Sequence, residues 1–121
     1  MQLTRSLPEL TAHWLDQFQD LGPVTCKRLF GGYAFYLGPI LFAVALRDVL
    51  YFRVDATLKA ALIAEGSTPF TYEKKGKQVV VQKFYTAPDA CLDDPDTLMD
   101  WARQAIDANR TETLAPDENG S

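Results

Sequence analysis

The sequence predicts an α+β domain in the order α-β-β-β-α-β-β-α, with a five-stranded antiparallel sheet and the helices packed on one face. Three observations predict it. Apolar residues recur at helical spacing near both ends of the chain, and β-branched and aromatic residues fill its middle. The turn signals between the central runs are too short to join parallel neighbours. A chain of 121 residues is one domain, large enough to bury a core without metal or disulfide support.

Leu7, Leu10, Trp14, Phe18 and Leu21 place a first helix over residues 8–20 with an apolar stripe inward. Pro8 suits its first turn, Ser6 and Glu9 resemble a capping box, and Gly22-Pro23 ends it. A first strand then spans residues 25–37, with Gly31-Gly32 read as a bulge or bend. Gly38-Pro39 turns the chain into a second strand, residues 40–46, that presents Ile40, Phe42, Val44 and Leu46 on one face. Arg47-Asp48 makes a tight turn, and Leu50, Phe52 and Val54 form the inward face of a third strand. Asp55 caps a helix over 56–65 that turns Leu58, Ala61 and Leu62 inward and stops at Gly66. Residues 70–73 and 78–84 form a hairpin around Lys74-Lys75-Gly76-Lys77. Asp94-Pro95 opens a last helix with Leu98, Trp101, Ala102, Ala105 and Ile106 on its apolar side. The domain is expected over 1–110, and residues 111–121 (TETLAPDENGS) are expected as a disordered acidic tail.

The net charge of −4 is unevenly spread: −2 over residues 1–26, +5 over 27–83 and −7 over 84–121. The basic middle attracts polyanions or acidic protein surfaces, while the acidic last third repels DNA. Cys26 and Cys91 form no CxxC unit and read as two reduced thiols. The N-terminus has no apolar signal core, and Gly38-Pro39 interrupts the apolar stretch 33–46, so a cytoplasmic location and no membrane span are expected.

Candidate chemistry is sparse. A lone His13 lacks companion ligands at metal spacing, and Ser6, Ser67 and Ser121 sit in no nucleophile elbow. Asp93, Asp94 and Asp96 suit capping of the last helix better than cation binding. The expectation is therefore no catalytic residue, no metal and no cofactor. Two surface features stand out as candidate partner-binding elements. One is Lys74, Lys75 and Lys77 on a hairpin tip with Tyr72 before it; the other is Arg28, Phe30, Gly31, Gly32 and Tyr33, aromatics and a base around a glycine pair.

These segments carry a resemblance. Arg28–Tyr33 with Phe35-Tyr36, then Leu50–Asp55, then Pro69–Lys77 follow one another as in the N-terminal domain of the TfoX/Sxy proteins, and the likeness runs over residues 8–108. The resemblance implies an α+β unit with one antiparallel sheet. It also implies a bacterial regulator of competence genes that acts with a cyclic-AMP-dependent activator, normally with a second, helical domain. A stand-alone first domain is expected here. It would be a non-enzymatic regulatory module binding a protein partner, such as transcription machinery, as a monomer or weak homodimer. Weak nucleic-acid association through the basic middle, or a small ligand-binding domain, are the alternatives.

Overall fold

The computed structural model describes residues 7–29 and 31–114. Helix α1 (Glu9–Phe18) continues as a single tight turn to Leu21 and leads into β1 (Val24–Leu29) and β2 (Gly32–Leu37). Then come β3 (Ile40–Leu46), β4 (Val49–Arg53), α2 (Ala56–Ala64), β5 (Pro69–Lys74), β6 (Lys77–Thr86), a short α3 (Ala90–Asp93) and the long α4 (Pro95–Leu114). The sheet order is β1-β2-β3-β4-β6-β5, and every neighbouring pair is antiparallel. No helix among the described residues is long and apolar enough to cross a membrane.

The sheet has six strands, where the sequence predicts five. The expected strand 25–37 is a hairpin, with Leu29 paired to Gly32 and Val24 to Leu37. Gly31 adopts φ +77°, a left-handed conformation that reverses the chain where a bulge would only bend it. The last helix runs to Leu114, past the expected boundary at 110; residues 115–121 of the expected tail lie outside the described residues. So does Ser6 of the expected capping box, and Pro8 occupies the cap position of α1. The two aspartate caps do form. Asp55 accepts from the Leu58 amide at 2.8 Å, and Asp94 accepts from the Asp96 amide at 3.1 Å and the Thr97 hydroxyl at 2.8 Å. These bonds hold the exposed Asp94 carboxyl below its ordinary range, the Thr97 hydroxyl contributing most.

The four helices of the described residues share one face of the sheet. Trp14 and Phe18 of α1, Leu58 and Leu62 of α2, Cys91 of α3, and Leu98, Met99, Ala102, Ala105 and Ile106 of α4 pack with Val24, Cys26, Phe35, Leu50 and Phe52. Phe18 stands edge-on to both Phe35 and Phe42, with ring centroids 5.1 Å apart in each case. On α1 the buried stripe is Leu7, Thr11, Trp14 and Phe18, so Leu10 falls one position off it and is exposed. Asn109 ties α4 to the sheet: its amide donates to the Arg53 and Ala105 carbonyls at 2.8 and 2.7 Å, and its oxygen accepts from the Arg53 guanidinium at 3.1 Å.

The opposite face is not bare. Strand β3 carries one surplus residue: Phe35 pairs with Ala43 and Tyr36 with Leu41, leaving Phe42 as the extra residue of a β-bulge. The alternation therefore reverses within the strand. Ile40, Phe42, Ala43 and Ala45 join the helix-backed core, while Val44 and Leu46 point to the other side. This corrects the expectation that Ile40, Phe42, Val44 and Leu46 share one face. Val44 and Leu46 build a second apolar cluster with Ala34 and Phe84, bordered by Tyr36, Tyr51, Phe70 and Val81.

Candidate functional site

A second break in register shapes that cluster. Phe70 pairs with Val81 but Pro69 pairs with Tyr85, so Gln82, Lys83 and Phe84 of β6 are matched by a single step on β5. Only Phe84, Tyr85 and Thr86 of β6 pair with β4. Beyond the break the β5–β6 hairpin is an arm that bends across the second face, and Phe70 meets Tyr51 edge-on at 5.3 Å. Phe70 also stacks with Tyr72 at 6.0 Å.

Between arm and sheet lies a groove of about 610 Å³, lined by Gly31, Leu46, Arg47, Phe70, Tyr72 and Val81. Its floor is apolar. Its walls come from three separate turns or strands: the β1–β2 turn, the β3–β4 turn and the arm. Both tips beside it are two-residue turns with left-handed central residues, Arg47 (φ 53°) with Asp48 (φ 63°), and Lys75 (φ 54°) with Gly76 (φ 78°). Burial pushes the Tyr51 phenol above its ordinary pKa, and the nearby Arg47 charge opposes this. Arg47 is exposed and brings a planar five-donor fork to the rim.

Cross-strand partners share a face, so the pairs Phe70–Val81, Tyr72–Val79 and Lys74–Lys77 form one continuous side of the arm. Two of the predicted partner-binding residues, Gly31 and Tyr72, line the groove. Lys74 and Lys77 extend its wall toward the tip, where Lys75 is a turn residue. Arg28 and Tyr33 stand elsewhere. They pair across β1 and β2, with the guanidinium 5.5 Å from the ring centroid, and Tyr33 packs against the helix-backed core. Gly32 sits inside the sheet against Ala45, where it allows close approach of β3. Phe30 lies outside the described residues.

Leu46, Arg47, Phe70 and Val81 are groove residues that the sequence reading did not single out. Arg47 reads in sequence only as a turn residue, and the bulge at Phe42 hides the direction of Leu46. The groove can bury an apolar side chain, stack against an aromatic ring and pair a carboxylate with Arg47. A second hollow of about 620 Å³, between α2 and β6 near Lys59 and Ile63, is more open and brings together none of the predicted residues. His13 lines a third, open hollow with Glu9 and Asp48, and Ser67 is buried just past α2.

Sequence comparison agrees with the fold. The family model described as the TfoX N-terminal domain matches residues 16–109. The chain is also similar to the DNA transformation protein TfoX of Haemophilus influenzae, at 34% identity over 79 residues covering 64% of this chain. The match takes in 36% of that protein, so the chain spans about a third of the length of the relative it resembles.

Proposed function

The chain belongs to the TfoX N-terminal domain family, and on that premise we propose that it is a non-catalytic regulatory module that binds a protein partner in the groove under the β5–β6 arm. The observation carrying this reading is the meeting of two sequence-distant motifs. Gly31 of the glycine turn and Tyr72 of the lysine hairpin line one apolar hollow, although their strands lie far apart in the sheet order. Aromatic and arginine side chains around a desolvated centre are what protein interfaces use as anchors. The similar protein from Haemophilus influenzae is named a DNA transformation protein, and regulation in that setting is the role we carry over.

Capture from cells with tagged chain tests the reading. The unsubstituted chain should retain a stoichiometric protein partner that Tyr72→Ala and Arg47→Glu both release. Arg28→Ala, on the helix-backed face, should keep it. Retention of the partner by both groove variants, each with an unchanged melting temperature, would refute docking at this site.

A further inference from the structure

We infer that the groove takes a short acidic peptide segment of the partner, seated by one apolar or aromatic side chain. This rests on the docking role proposed above and names the chemistry that fills the site. Three features converge on it. The first is size: about 610 Å³ lies in the range of sites that enclose a small ligand or a few side chains of an extended segment, whereas a stable contact between folded surfaces buries on the order of 1,200 Å² or more. An extended segment delivers such an anchor without a matching globular face.

The second is the shape of the floor. Leu46 is almost wholly buried, Val81 and Phe70 are half-buried, and at Gly31 nothing lies within 4 Å of where a Cβ would stand. A visiting backbone can approach there more closely than over any side chain.

The third is charge. Arg47 stands at one rim, and Lys74 and Lys77 continue the arm's inner side, with Lys75 at its tip. None of these four makes an ion pair among the described residues. Glu73, the acid just before Lys74, pairs with Gln78 and so belongs to the arm's outer side. The rims are thus cationic around an apolar floor, which complements carboxylates flanking an apolar anchor. A long polyanion meets the opposite field from the rest of the molecule, −7 over residues 84–121 and −4 in all.

A phage-displayed library of random dodecapeptides, selected on the immobilised full chain, tests this. Recovered peptides should be acidic around a single Trp, Phe or Leu. As fluorescein-labelled synthetic peptides they should lose at least about tenfold in affinity on Arg47→Glu and on Tyr72→Ala. Their binding should also weaken as salt screens the rims. Amide shifts on binding should centre on Gly31, Leu46 and Val81.

Neutral or basic consensus sequences would overturn the inference, as would acidic peptides indifferent to Arg47→Glu, or no enrichment at all. So would an oligothymidylate that displaces the peptides at lower concentration, or a concentration-dependent dimer that the same two variants abolish. The two claims fail separately. A cellular partner released by Tyr72→Ala, together with a failed peptide selection, removes the acidic segment and leaves the docking site. A partner indifferent to both variants removes the docking site itself.

Discussion

At Gly32 an added Cβ would stand 2.2 Å from the Ala45 carbonyl oxygen and 2.5 Å from Cδ2 of Leu46, whereas its neighbour Gly31 has open space but a φ of +77°. The two glycines therefore answer different constraints. Gly31→Ala meets only the backbone penalty of a left-handed residue, about 1–2 kcal/mol. Gly32→Ala must push a backbone atom of the central strand β3 aside, at about 3 kcal/mol or more. Urea unfolding of the two variants should rank them in that order, and equal losses would show that the β2–β3 approach is not tight. A glycine pair in sequence marks only that the backbone does something unusual. Which glycine turns the chain and which admits a neighbour depends on β3, whose carbonyl arrives from a different hairpin.

Among the elements, the β3–β4 turn places two ordinary residues, Arg47 and Asp48, at positive φ, where Asn-Gly is the favoured pair. Exchanging Arg47-Asp48 for Asn-Gly should relieve strain of about 1–2 kcal/mol and raise the melting temperature by several degrees. The same exchange removes the guanidinium at the groove rim, so it should weaken partner capture while it stabilises the fold. A variant that loses stability would show that Arg47 supports the turn. Much at this scale was legible in the sequence. The caps at Asp55 and Asp94, the turn at Arg47-Asp48, the hairpin at Lys74–Lys77 and, apart from Leu10, the helical stripes follow from local chemistry, and the structure contains each of them. The groove was not legible, because two changes of register create it. Strand alternation projects forward without a fault until a surplus residue enters, and nothing local in Ile40–Leu46 announces that Phe42 is surplus. Likewise Gln82–Phe84 look like plain strand until their partner Pro69 is known.

At the scale of the whole molecule, the helix-backed core encloses both thiols. Burial pushes Cys26 up to about 11 and Cys91 to about 11, the latter helped by the Asp94 charge. A raised thiol pKa favours the neutral form in the fold. The associated stability is complete below the unfolded value of 9.0 and is lost as pH rises through about 11. Two outcomes follow. Ellman's reagent at pH 8 should label the native protein at least about a hundredfold more slowly than the urea-unfolded chain, since the thiolate is the reacting form. The urea midpoint should also fall between pH 9 and 11. A thiol that reacts at the unfolded rate in the native protein would place it outside the core. The core and the groove are, moreover, two sides of one strand. A one-residue slip of β3 against its neighbours would exchange the alanines of one side for the valine and leucine of the other, crowding the interior and emptying the cleft in the same stroke. A register change in β3 thus cannot alter the cleft alone, whereas substitutions in the arm and in the two turns that line it leave the core side of β3 as it is.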